Sequence, residues 1–209
     1  MQVDHLDLHP ENSACFHSMW VIDQAGQRHL NKLRHPEKIA QVDIDKLLKI
    51  GFPNISTIMM RRALLSSYPE WFLDVATGDW TTAILCAKQG PLAYFRDIPM
   101  SIHRDRSKSC WLNRSLFERN LDEIHALETF DRYLQGEGHH GVIQQQINIC
   151  EFWWVEIYYQ LGQQIKARKA FWVAVHHWWR YRGVTVPQLL WYFLRAYFFG
   201  SVRLRARSQ

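Results

Sequence analysis

Apolar positions along the first half of the chain recur in short, mixed patterns. Val3 and Leu6 followed by the turn residues His9-Pro10-Glu11-Asn12 predict the end of a helix. Residues 13–22 (Ser-Ala-Cys-Phe-His-Ser-Met-Trp-Val-Ile) predict one strand, closed by a turn over residues 23–26. Residues 43–50 predict a short helix stopped by Gly51, with Pro53 just beyond. Residues 56–60 predict a second apolar strand, and a short helix follows from Arg62. Residues 80–89 predict a helix ended by Gly90, and residues 92–102 an extended stretch broken at Pro99.

After Trp111 the period changes. Leu116, Leu121, Ile124, Leu127, Phe130 and Leu134 fall near helical spacing, and Gly136 and Gly138 break the run. Residues 142–179 predict one long helix or a helical hairpin turning near Gly162. Gly183 and Pro187 mark another break, and residues 189–204 predict a last helix. The expected organisation is a mixed α/β part over residues 1–112 and an all-helical part over 113–209. The most apolar stretch, residues 189–199, is interrupted by Arg195 and falls short of the roughly 18 residues a membrane span needs.

Charge sharpens the division. The net charge is +5, yet all 20 acidic residues lie before residue 157, with 16 of the 25 basic ones. Nine Lys or Arg and no acid remain in residues 157–209, among Trp172, Trp178, Trp179, Trp191 and Phe198. Such a tail suits an anionic membrane surface, with rings at the headgroup level and arginines on phosphates. A core-packing stripe with solvated arginines fits the same pattern, and no nucleic-acid module is recognisable, so nucleic acid is not an expected partner. Cys15, Cys86, Cys110 and Cys150 form no close pair, which predicts reduced, buried thiols rather than a zinc or redox site. The opening residues lack a basic and apolar leader, so the expected location is the cytoplasm or the inner face of its membrane.

The segment richest in chemistry is Pro69-Glu-Trp-Phe-Leu-Asp-Val-Ala-Thr-Gly-Asp-Trp80. On local pattern alone Asp79 is a helix N-cap and Trp71 and Phe72 are core residues. Pro69-Glu70-Trp71-Phe72 with Gly78-Asp79-Trp80 resembles the acceptor-side motif of family-two glycosyltransferases of the GT-A, Rossmann-like fold. Ser56-Thr57-Ile58-Met59-Met60-Arg61-Arg62 upstream and Gly90-Pro91-Leu92-Ala93-Tyr94 downstream resemble that family's flanking segments. So do Gln2-Val3-Asp4-His5-Leu6 and Cys15-Phe16-His17. The resemblance runs in order over about residues 2–112.

It implies an inverting transfer of a sugar from a nucleotide-sugar donor to the hydroxyl of a glycan or other acceptor. Asp79 would be the general base, a role compatible with capping, and Trp80 an acceptor platform or a core residue. The family's next signature, a Tyr-Arg pair followed by His and Trp, corresponds to His103-Arg104-Asp105-Arg106 and Trp111. Arg104 and Arg106 would meet the donor diphosphate, or form a solvated basic loop with Lys108. Arg106 stands where a metal-ligating His often does and has no lone pair to offer, which leaves His103 as the candidate ligand for Mn or Mg. The family's nucleotide site and aspartate pair lie ahead of these motifs and have no counterpart in this sequence. The expectation is therefore a truncated enzyme, inactive alone. The alternative is a non-catalytic helical protein that binds a membrane surface or another protein on a transferase-derived scaffold. His5/His9, His139/His140 and His176/His177 are expected to be surface pairs without a third ligand.

Overall fold

The computed structural model describes residues 1–32, 39–51, 53–65, 68–104 and 113–198. The chain divides into two compact units, Met1–Asn113 and Arg114–Gln209. The described residues form a mixed α/β structure with seven α-helices and two small sheets.

In the first unit the elements are α1 (Gln2–Leu8), β1 (Ala14–His17), β2 (Met19–Ile22), β3 (Arg28–Asn31), β4 (Ile39–Val42), α2 (Ile44–Ile50), β5 (Met59–Met60), α3 (Gly78–Gln89), β6 (Leu92–Phe95) and β7 (Ser101–Arg104). One sheet has the order β4-β6-β1-β5 and the other β3-β2-β7. β1 and β6 run parallel, with Phe16 opposite Tyr94 and His17 opposite Phe95. All four residues of β1 and all four of β6 are buried, as befits neighbouring strands in the middle of a sheet.

The single strand expected over residues 13–22 is two strands in different sheets. The break is Ser18, whose hydroxyl donates to the Arg96 carbonyl and meets the Tyr94 hydroxyl at 2.9 Å. That anchor diverts the chain from one ladder to the next. The strand expected over residues 56–60 is also shortened. Asn54 accepts from the Ser56 N–H at 3.0 Å and winds Ile55–Thr57 into a 3-10 turn, so only Met59–Met60 pairs with β1. The short helix from Arg62 is a 3-10 turn, Arg62–Leu65. Arg61 clamps the end of α1 through the carbonyls of Leu6, His9 and Asn12, supplying donors to groups left open at a helix terminus.

α2 begins where its cap dictates. The Asp43 carboxylate accepts from the Lys46 N–H at 2.8 Å, and Ile44, Leu47 and Leu48 fill its buried face.

The second unit holds α4 (Leu116–Tyr133), α5 (His140–Gln160), α6 (Gln164–Tyr181) and α7 (Val186–Tyr197). α4 and α7 open with capping boxes, Ser115 with Glu118 and Thr185 with Gln188. The hairpin alternative holds for residues 142–179: Gly162, at φ 71°, turns the chain between α5 and α6. Ala167, Phe171, Ala174 and Trp178 are spaced by three or four residues and pack with Phe152 and Val155 of α5. Burying each large side chain contributes about 1.5–3 kcal/mol. α7 ends at Tyr197, and the expected continuation to Leu204 lies beyond the described residues.

Candidate functional site

A cavity of about 190 Å³ opens in the first unit where β1, β2, β6 and the start of α3 converge. Phe16, His17 and Tyr94 come from the parallel strands, and Ser18 and Met19 from the switch between sheets. Asn31 and Lys32 close one side, and Pro53, Asn54 and Thr57 another. Asp79 completes the lining.

Asp79 is the second residue of α3, and Thr77 occupies the N-cap position without a side-chain cap bond. The N-cap position read for Asp79 from local pattern therefore falls on Thr77, and Asp79 stands two residues further on, inside the first turn. There the Asp79 Oδ1 accepts from the Trp80 N–H at 3.0 Å. Burial raises the pKa of Asp79 above its ordinary value, and backbone donors at Trp80 and at Asp79 itself offset only part of that rise. A carboxylate that is harder to ionise is a better proton acceptor once ionised.

Around it stand groups that can bind hydroxyls. His17 is buried, and its Nδ1 lies 2.7 Å from the Ser18 carbonyl and 3.4 Å from the Met100 N–H. One nitrogen cannot donate to the first and accept from the second. The shorter contact assigns the proton to Nδ1 and leaves Nε2 the acceptor of the neutral ring. The Lys32 ammonium sits 3.6 Å from Asp97.

Trp80 does not join the cavity. Only 2% of its surface is exposed, so of the two roles expected for it, acceptor platform and core residue, the burial fits the core one. His103 and Arg104 lie on β7, opposite Val21 and Ile22 of β2. His103 is half-buried and Arg104 exposed, and neither lines the cavity. Arg106 and Lys108 lie outside the described residues. Among the described residues no three His, Cys, Asp or Glu side chains gather as a metal-binding group. His5 meets Asn12 and His9 meets Glu11; His140 and His177 pair with Asp131 and Glu151.

Sequence reading missed His17, Lys32, Asn54 and Tyr94 as site residues. A His closing the apolar run Ala14-Cys15-Phe16 was the one local signal. The others meet only through tertiary pairing. No family model, no curated protein and no solved structure matches the chain, and the site therefore stands on its own geometry.

Proposed function

We propose that the first unit is the acceptor side of an inverting sugar transferase and that Asp79 is its general base. The observation that carries this reading is the Asp79 carboxylate lining a cavity with mixed polar and apolar walls, with its basicity raised by burial. The acceptor hydroxyl forms a new bond to the anomeric carbon of the donor sugar. The bond from that carbon to the diphosphate oxygen breaks, and the hydroxyl proton passes to Asp79. A hydroxyl is a weak nucleophile until a positioned base takes its proton, a contribution of roughly a hundred- to ten-thousand-fold. His17, Ser18, Asn54 and Tyr94 offer hydrogen bonds to the remaining hydroxyls of a glycan or other polyol, and Lys32 supplies positive charge beside them.

The parallel β1–β6 pair, with α3 running into β6 through only Gly90 and Pro91, is consistent with a GT-A arrangement of the Rossmann-like kind. In that reading Arg104, exposed on β7, and Arg106, which lies outside the described residues, are candidates for contacts to the diphosphate of the nucleotide-sugar. No step is assigned to a divalent metal, because the described side chains do not assemble a ligand set for one.

Release of nucleoside diphosphate from a panel of nucleotide-sugars, followed with glycan acceptors and with this chain joined to the donor-nucleotide half that the resemblance implies, tests the assignment. Asp79→Asn keeps the acceptor for the Trp80 N–H and removes the basicity. Turnover should fall by roughly a hundredfold or more, with the acceptor KM changed far less. Unchanged turnover in Asp79→Asn would overturn the role.

A further inference from the structure

The second unit carries an apolar surface with no part in the Asp79 site. α6 and α7 leave an open groove of about 380 Å³ between them, walled by Phe171, Trp172 and Val175 on one side and by Val186, Leu190 and Phe193 on the other. On α6, Ile165, Trp172 and Trp179 follow at seven-residue steps, about two turns apart, and are 72%, 56% and 68% exposed. Leu190 and Trp191 on α7, and Phe198 just past its end, are exposed as well. Helices that face only water do not carry such a stripe.

Charge lies next to it. Lys169 and Arg180 are eleven residues apart, about three turns, so they form one row on the exposed side of α6. No acidic residue occurs on α6 or α7, and the acids beside this row are Glu128 of α4 and Glu151 of α5, which line a cavity with Lys169. Arg195 is not part of this row: it reaches Glu156 at 3.6 Å and stacks on Tyr159 and Trp191. Arg168 is held over the Tyr197 ring at 4.9 Å.

We propose that the α6–α7 face docks on an anionic lipid bilayer, lying in the plane of the headgroups. The tryptophans and Leu190 would enter the boundary between headgroups and acyl chains, with Lys169 and Arg180 on lipid phosphates. Exposed Trp beside an apolar groove, fringed by cations and with no acid on either helix, is the composition of an interfacial surface. A second copy of the chain would bring the same cations against themselves, an arrangement that like-charge repulsion disfavours. No helix among the described residues is long and apolar enough to cross a membrane, so docking here means lying on the surface.

Co-sedimentation of the full chain with vesicles of phosphatidylcholine alone, and with added phosphatidylglycerol, tests the proposal. Binding should require the anionic lipid, weaken as salt rises, and shift the tryptophan emission to the blue. Each basic residue near such a surface strengthens partitioning by roughly fivefold. The double variant Lys169→Gln/Arg180→Gln should therefore bind roughly 25-fold more weakly with an unchanged thermal midpoint. Leu190→Ser should remove most of the emission shift. Equal binding to neutral vesicles, or no vesicle binding together with a concentration-dependent dimer in sedimentation velocity, would overturn it. So would a Lys169→Gln/Arg180→Gln variant that folds and binds as the parent does.

Discussion

Phe16 and Tyr94 stack across the parallel β1–β6 pair with their ring centroids 4.6 Å apart and their planes 16° from parallel. Both rings are almost wholly buried, and both line the Asp79 cavity. The Tyr94 hydroxyl then meets the Ser18 hydroxyl at 2.9 Å. One side chain thus joins the strand register, the cavity wall and the sheet switch. Because the Ser18 hydroxyl gives its proton to the Arg96 carbonyl, Tyr94 is the donor in its pair with Ser18.

Tyr94→Phe keeps the stack and deletes that donor. The expected cost is about 1 kcal/mol, the net worth of one buried hydrogen bond. Tyr94→Ala removes the stack as well and should cost about 3–5 kcal/mol. Urea unfolding of the two variants measures both. Equal losses would mean that the ring contributes nothing beyond the hydroxyl.

In the second unit, Asn148 is wholly buried. Its Nδ2 donates to the Ala174 carbonyl at 2.8 Å and to Glu151 at 3.0 Å, and its Oδ1 accepts from the Gly183 N–H at 3.2 Å. It therefore ties α5 to α6 and to the loop ahead of α7. Gly183 comes so close that an added Cβ would lie 2.6 Å from the Gln145 carbonyl oxygen and 2.8 Å from the Asn148 Oδ1. Gly183→Ala should destabilise by about 1–3 kcal/mol through overpacking. Asn148→Ala should cost a similar amount through stranded polar groups, about 1–3 kcal/mol. The double variant should lose less than the sum, because Asn148→Ala removes one of the two clashes. Strict additivity in thermal melts would show that the two positions are independent.

Burial pushes the Cys15 and Cys86 thiols up to about 11, and moves Cys150 further in the same direction. The thiolate is the reactive form. At pH 8 the three thiols should alkylate with iodoacetamide about a hundredfold more slowly in the folded chain than in urea. Peptide mass spectrometry reads each site separately. Fast labelling of any of the three in the folded chain would contradict its burial.

Several features were legible because they are local. Asp43 before an apolar i, i+3, i+4 set marks the start of α2, and Ser115-x-x-Glu118 marks the start of α4. Gly162 offered a turn between two apolar runs, and the chain takes it. The break at Ser18 was not legible, since its cause is a bond to Arg96, in the turn just after β6 and distant in sequence. Trp80 was ambiguous for the same reason: whether a ring beside Asp79 faces a cavity or the core depends on what packs on α3. Asp79 was readable from the Gly-Asp-Trp pattern. The histidine, amide and ammonium that share its cavity come from β1, β3 and the loop after α2, and nothing in their local spacing links them.

The same burial that raises the basicity of Asp79 sets a pH signature on stability. In the unfolded chain the carboxyl titrates near its ordinary value of 3.8, and in the folded chain at a higher pH. Above the folded value the native state must hold a carboxylate that burial disfavours, whereas the unfolded state holds it in water. Asp79 therefore favours folding most below its unfolded pKa, and that contribution is lost as pH rises through the folded value. Asp79→Asn removes the titration and keeps the hydrogen bond from the Trp80 N–H. At pH 7 the variant should melt at the same temperature as the parent or higher. As pH falls through the raised pKa toward 3.8, any advantage should shrink, since the parent then protonates. Differential scanning calorimetry of both proteins from pH 4 to pH 8 measures the difference directly. A parent that is more stable than Asp79→Asn at pH 7, and loses that margin in acid, would show a carboxylate stabilised by partners. The burial-driven shift, and the raised basicity it implies, would then be wrong.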